Sequence, residues 1–504
     1  MSTASLAVVA LASPAFADVT ADDIWSDWKA YMSTFGYEMT GTESRAGDTL
    51  TVSAATMSID MSTEDEPVGI MTVSMPALTF TENGDGSVTV GMPGASEIVF
   101  ESAPGAPETV RAVISYEQPG FSMTASGEPE NVKYVYSADS LTMALTSFTV
   151  DGETLPPEAI TAEMALQQIS GETSLQTGDL RSYDQSFSAG GFNLTFDFAA
   201  PDGAESGKIR MTAGGMTFAG VSAIPAEMGQ DEVIEALRAG FNFDGTFGLT
   251  NSQTQVAITG PDAFTSNTSS ATTGVRVAMG AESGLVYDIS NSGVSLNMLL
   301  PDLPIPVTAE WASSVFKLGL PVLKSDDPQS FGLTIELNEL VVADTLWGMI
   351  DPAGQLPRDP ATLQVSLDGM AKLLFDYLDP AEQSAIVSSG AMPAELQSVA
   401  LSNLVLRVAG AALTGNGAFD VTPGMSPIFG PLGTPVGKVD LQLEGGNGLM
   451  DTLVAMGLLP EEQAMGARMM LGLFARPGDG PDTLTSSIEI NADGHILANG
   501  QRIQ

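Results

Sequence analysis

Phe192-Asn193-Leu194-Thr195-Phe196-Asp197-Phe198 sets the class of the fold. Each odd position, counted from Phe192, is large and apolar, and each position between is polar. That period of two belongs to a strand with one dry and one wet face. Working outward, the same alternation recurs at Val110–Tyr116, Val132–Tyr136, Leu141–Leu145, Val294–Met298, Phe331–Leu337, Leu363–Leu367, Leu404–Val408 and Val439–Leu443. Near the N-terminus, Ile70, Val73 and Met75, then Leu78 and Phe80, then Val88 and Val90 give shorter strands. Glu82-Asn83-Gly84-Asp85-Gly86 supplies the positive-φ positions of a hairpin between the last two. Strict alternation predicts antiparallel sheets, because the strands of a doubly wound parallel core are apolar on both faces.

Helices punctuate this pattern. Thr20 and Asp23 form a capping pattern, followed by Ile24, Trp25, Trp28, Tyr31, Met32 and Phe35 at helical spacing and by Gly36 as a stop. Further helices are expected over Asp231–Ala239, over Met370–Leu378 and after Asp379-Pro380. A Leu- and Met-rich pair is expected near Gly448–Met456 and Pro460–Phe474. The fold class is therefore α+β, mainly antiparallel β, with large curved sheets and interspersed amphipathic helices. Two similar halves are expected, 18–264 and 274–504, joined by the Ser/Thr-rich stretch 265–273 as a linker.

Residues 1–17 read as a signal peptide. The run Leu6–Ala12 is apolar, Ser13-Pro14 breaks it, and Ala15-Phe16-Ala17 is a small-x-small cleavage pattern that would start the mature chain at Asp18. No basic residue precedes the apolar run, which fits a start codon placed downstream of the true one. The expected location is periplasmic, with secretion beyond the outer membrane left open. The mature chain has no uninterrupted apolar segment of about 20 residues, so no membrane-spanning helix is expected.

Composition narrows the function by exclusion. The 504 residues contain no cysteine, so the fold needs no disulfide, and thiol catalysis and thiolate zinc sites are excluded. Sixty-two acidic against 18 basic residues give a formal charge of −44, which repels nucleic acid and anionic headgroups. Only 16% of residues are charged, so Ser, Thr, Gly, Asn and Gln must cover much of the surface. The one histidine, His495, lies in Asn491-Ala492-Asp493-Gly494-His495, a turn between short strands, and cannot build a multi-histidine metal site.

Chemical motifs are correspondingly few. Nucleophile-elbow, P-loop and dinucleotide-binding patterns do not occur. Ser314-Val315-Phe316-Lys317 matches S-x-x-K, but no lysine is followed by Thr-Gly, the companion such enzymes need; an amphipathic turn with Phe316 inward is the expectation. Asn83-Gly84-Asp85-Gly86 and Asp479-Gly480-Pro481-Asp482 carry oxygen ligands near glycines without the order of a calcium loop, and read as turns. In the segment from Ser325 to Leu363, Trp347 is expected to anchor against the sheet. Asp351-Pro352 and Asp359-Pro360 set turns there, and Arg358 ties down neighbouring carboxylates. No catalytic, cofactor-binding or metal-binding residue is assigned, and no cofactor is expected.

Several of these stretches resemble the bacterial domain-of-unknown-function family DUF2125: Asp18-Val19-Thr20-Ala21 with Trp25 and Trp28, the hairpin Phe80–Gly86, the segment Trp347–Pro360, and the closing stretch from Gly437-Lys438-Val439 through Gly457-Leu458-Leu459 to Asp493-Gly494. The resemblance extends over nearly all of the mature chain. It implies an envelope location and brings no activity or catalytic residue.

Three functional classes stay open. The first is a non-enzymatic periplasmic protein whose curved sheets bury an apolar groove for lipid or another hydrophobic ligand. Alternating strands and 25 methionines, which adapt to irregular apolar guests, favour it. The second is a structural or protein-interaction module of the envelope, acting through exposed strand edges. The third is a carboxylate-only hydrolase acting on glycans.

Overall fold

The computed structural model describes residues 18–60, 70–102, 109–200, 203–225, 233–303, 305–390, 392–426 and 428–504. The signal-like stretch 1–17 lies outside the described residues. All the described strands belong to one antiparallel sheet, and the fold is α+β, mainly antiparallel β.

The sheet begins at Glu38–Ala46, which pairs with Thr49–Asp60. It then forks: Thr49–Asp60 carries Ile70–Ser74 and Leu78–Glu82 end to end on its other side. These continue into Ala95–Ser102 and Val88–Gly91, then into Val110–Glu117 and Ser122–Glu128. Both branches rejoin on the 20-residue strand Asn131–Val150, which pairs with Ile160–Gln176. A second fork follows, through Leu180–Ala189 with Gly215–Pro225 and through Gly191–Ala199 with Ser206–Ala213, and it closes on Asn242–Thr259. From there hairpins follow one another in chain order: Phe264–Gly280, Gly284–Leu299, Val307–Leu320, Gln329–Val342, Ala361–Leu373, Ala394–Val408, Ala411–Thr422, Thr434–Glu444 and Thr483–Ile490. The short strands Ile496–Ala498 and Gln501–Arg502 end the row.

Three expectations change. The stretch 265–273 is no linker, since it lies inside Phe264–Gly280 and pairs on both sides. Its Ser and Thr side chains suit a half-wet β surface as well as a loop, and composition alone did not separate the two. Val132–Tyr136 and Leu141–Leu145 are parts of the single strand Asn131–Val150. Met370–Leu373 ends the strand Ala361–Leu373 instead of starting a helix; Met370 pairs with Ser398 and Ala371 with Leu396.

Six helices are described: α1 (Ala21–Thr34), α2 (Val233–Arg238), α3 (Asp344–Ile350), α4 (Pro380–Ser389), α5 (Gly446–Ala455) and α6 (Glu461–Phe474). α1 opens with the expected capping box, in which the Asp23 amide donates to Thr20 Oγ1 at 3.2 Å and the Thr20 amide donates to Asp23 Oδ2 at 2.9 Å. α4 takes Asp379 as its N-cap and ends on Gly390, whose left-handed φ of 65° a side chain would strain.

Long strands share one irregularity. Gln168, Asn251 and Glu339 adopt φ of 51°, 48° and 57° in mid-strand, and Gly293 adopts 55°. Each sits where the pairing register skips a residue. At Gln168, Asn251 and Gly293 the partner strand skips one residue as well, so the register is the same on both sides while the alternation changes parity. In Asn242–Thr259 the apolar positions are Phe243, Phe247 and Leu249 before Asn251, and Val256 and Ile258 after it. The parity change keeps apolar residues on one face along the whole strand.

Candidate functional site

The pairing register traces a single line of side chains across the sheet. It starts with Leu50, Phe80, Val90, Met123 and Tyr136. It proceeds through Gly171, Phe187, Phe218, Phe247 and Val275. It continues through Ile289, Phe316, Ile335, Val365 and Leu404, then Gly415 and Leu441, and ends at Ser486. Directly paired residues lie on the same face, so this is a real surface stripe. At about 4.8 Å between strands, it is roughly 80 Å long measured along the sheet. Tyr287, Leu318, Leu333, Leu367 and Leu401 form a parallel stripe beside it.

The adjoining line belongs to the other face and reads in reverse chemistry. Thr81, Thr89, Thr124, Val135, Glu172, Ser186, Ala219, Thr246, Arg276, Asp288, Lys317, Thr334, Ser366 and Asn403 are in register. Ion pairs run along this wet face. Arg276 clamps Asp244 through two 2.8 Å hydrogen bonds, and Lys317 Nζ lies 2.9 Å from Asp288. The Arg276 hydrogen bonds hold the Asp244 carboxyl below the usual carboxylate range.

The dry face is covered at one end and open along the rest. α1 lies over its beginning: Ile24 and Trp25 are buried against Leu50, Phe80, Val88 and Val90. Trp28 meets the Phe80 ring edge-on at 5.5 Å between centroids. Trp25 Nε1 donates to Glu43 at 2.6 Å, and the Ala21 amide donates to Glu82 at 3.1 Å, so the helix is fastened at both faces of its first turns. α2 covers a rim, packing Ile234 and Leu237 with Met279 and Leu285. From Ile289 onward no member of the main stripe is buried, and Phe316 and Ile335 are each 39% exposed.

Beside α1 the dry face deepens into a cavity of about 320 Å³ lined by Trp28, Tyr31, Met32, Met123, Tyr134, Tyr136 and Tyr183. Asp27, which also lines it, accepts from Arg181, joining the helix to the second fork. Burial pushes the Tyr183 hydroxyl up to about 12 and also raises Tyr31, Tyr134 and Tyr136, so the aromatic lining is neutral at physiological pH. An apolar chain fits such a wall, while an anion finds only an arginine already paired.

The sequence candidates settle elsewhere. Ser314 and Lys317 both lie in the strand Val307–Leu320, not in a turn, three residues apart and therefore on opposite faces. Ser314 accepts from Trp311 Nε1 at 3.3 Å while Lys317 pairs with Asp288, so the two share no chemistry. Phe316 does point to the dry face. His495 follows the turn after Thr483–Ile490, its amide donating to Asn491 Oδ1 at 3.0 Å. Asp85 accepts from Ser87 within its hairpin, and Asp482 accepts from the Asn447 and Gly448 amides at the start of α5. No group of three or more His, Cys, Asp or Glu that could hold a metal ion occurs among the described residues. Arg358 pairs with Asp344 as expected, and Asp351 is fully buried, accepting from the Gln355 and Leu356 amides. Sequence reading missed the Asp27–Arg181 pair, whose members are 154 positions apart.

The fold and its site thus define one uninterrupted antiparallel sheet with a capped, half-exposed apolar face. The family model "uncharacterized protein conserved in bacteria (DUF2125)" matches residues 232–498, more than half of the chain, and the chain belongs to that family. Trp347–Pro360 and the closing stretch to Gly494 fall inside the match, whereas Asp18–Ala21, Trp25, Trp28 and the Phe80–Gly86 hairpin precede it. No curated protein and no solved structure matches the chain. No helix among the described residues is long and apolar enough to cross a membrane.

Proposed function

We propose that this is an exported, non-enzymatic protein that holds lipid acyl chains against the dry face of its sheet. The carrying observation is the half-exposed apolar stripe from Ile289 to Leu441, in register over seven successive strands. Burying such a surface against hydrocarbon is favourable by about 25 cal/mol per Å² and needs no polar partner. A stripe without hydrogen-bonding groups suits a flexible apolar chain better than a shaped polar ligand. Export rests on the signal-like run Leu6–Ala17, and the location proposed is the periplasm. The alternative, an interaction module working through strand edges, has less support. The edge strand Glu38–Ala46 carries Glu38, Glu43 and Arg45, charges of the kind that discourage edge pairing.

The test is to purify the chain from residue 18 onward out of a periplasmic fraction, extract it with organic solvent, and run mass spectrometry. A stoichiometric lipid supports the reading. A folded protein that is empty, and that also fails to take up a fluorescent fatty acid, overturns it.

A further inference from the structure

The dry face has an end opposite α1, and the helix fastened there is unusual. α6 follows α5 between the strands Thr434–Glu444 and Thr483–Ile490, the last long strands of the row. Its C-terminus is tied to the end of the row: Ser486 Oγ, in Thr483–Ile490, donates to the Phe474 carbonyl at 2.6 Å, and Asn499 Nδ2, just after Ile496–Ala498, donates to the same oxygen at 2.9 Å. Between Ala464 and Phe474 its only charged residue is Arg468, which pairs with Asp451 of α5. A helix that is apolar nearly all round belongs in a core. Here only Ala464 is buried, while Met465, Met469 and Leu473 stand 63%, 72% and 58% exposed. Their i, i+4, i+8 spacing puts them in one stripe.

A second helix repeats the feature. α3 joins Gln329–Val342 to Ala361–Leu373 and leaves the sheet on the same rim as α5 and α6, four strands away, or roughly 19 Å. Its last residues, Met349 and Ile350, are exposed as well. Two apolar helix surfaces on one rim, beside the uncovered end of an apolar stripe, call for a common cover.

We propose that α6, with the end of α3, docks this rim on the surface of an uncharged, zwitterionic bilayer, and that this is where acyl chains reach the dry face. The proposal rests on the acyl-chain reading above and adds the place of loading. Charge selects the occupant. With a formal charge of −44, two copies repel, as do the protein and an anionic membrane, whereas a zwitterionic bilayer carries no opposing net charge. Unbranched methionines conform to a fluid surface. A 14-residue helix is about 21 Å long, too short to span hydrocarbon, so it lies in the interfacial plane while its other side stays on α5.

The experiment is flotation of the full chain with phosphatidylcholine vesicles, compared with vesicles in which half the lipid is phosphatidylglycerol. Alongside it, fluorescent fatty-acid uptake is measured in the absence of vesicles. The wild type is expected to float with the neutral vesicles and less with the anionic ones. M465D/M469D is expected to lose roughly tenfold or more of that binding while taking up free fatty acid as before. M349D/I350D, on the other helix, is expected to weaken flotation to a smaller degree. Normal fatty-acid uptake by a wild type that does not float, or flotation unchanged in both variants, overturns the docking proposal and leaves the groove standing. A wild type that is a stable dimer dissociated by M465D/M469D overturns it in favour of a second copy. Loss of fatty-acid uptake in the wild type would instead strike the underlying reading.

Discussion

Replacing Phe316 by threonine separates a surface that receives a ligand from one that merely fills a core. Phe316 stands in the main stripe between Ile289 and Ile335, and 39% of it is exposed. A phenylalanine presents about 200 Å² of apolar surface, so roughly 80 Å² remains for a guest to cover. At about 25 cal/mol per Å² that is near 2 kcal/mol of binding, or about a thirtyfold rise in Kd for a fatty acid. Folding should suffer moderately. A fully buried Phe-to-Ala change costs about 3–5 kcal/mol, and the covered three-fifths of this ring scale that to roughly 2–3 kcal/mol. Threonine is β-branched, which strands favour. The assay is fluorescence titration with a fatty-acid probe, beside urea unfolding of the same samples. Val341→Thr is the control, because Val341 is also exposed but pairs with Glu310 on the wet face. Equal binding by wild type and Phe316→Thr, or equal losses in Phe316→Thr and Val341→Thr, would refute the assignment of the dry face.

Three further outcomes are expected. Asp27→Asn should destabilise the protein by about 3–5 kcal/mol, because Arg181 keeps a buried charge without its counter-ion, and Asp27→Leu/Arg181→Met should cost less than either single change; a double-mutant cycle in urea checks this. Glu82 is held below its usual carboxylate value of 4.5 first by the Ala21 amide and then by Arg45, so its contribution is present above pH 4.5 and is lost as pH falls through the lower folded value. Trp fluorescence of α1 should therefore report loosening on acidification in the wild type, and Glu82→Gln should show a smaller acid-dependent change. Asn251→Gly should be neutral or slightly stabilising, whereas Asn251→Val should cost about 1–2 kcal/mol, because a β-branched residue resists φ of 48°; thermal unfolding of the two variants distinguishes them.

The period-two alternation at Phe192–Phe198 and its repeats carried the fold class, since a one-sided strand must leave that mark. The capping box of α1 and the Asp379-Pro380 start of α4 were equally local and equally legible. What escaped depends on pairing or on backbone shape. In Asn131–Val150 the apolar positions are even from Val132 to Ala138 and odd from Leu141 to Leu145, and this parity change splits one long strand into two apparent short patterns, so its length was underestimated. The Ser/Thr run 265–273 looks like a linker until partners stand on both sides of it. The dry stripe exists only through register, one residue per strand, and spacing along the chain does not mark its neighbours as a line. Asp27 and Arg181 lie on the helix and on the second fork, and no spacing rule connects them.

The order of the hairpins from Asn242 to Ile490 has a consequence for how this chain changes size and comes apart. Among the described residues, each strand from Phe264–Gly280 to Thr434–Glu444 pairs only with its two neighbours in the row, so the array is close to one-dimensional, and its stability is a sum over adjacent pairs. Inserting or deleting a hairpin shifts the length by two strand spacings, roughly 10 Å, and leaves the cross-section intact. The molecule can thus be lengthened like a ruler to match a gap. Unfolding should peel inward from the terminal strand Gln501–Arg502, where a partner stands on one side alone, while the α1-covered end melts last.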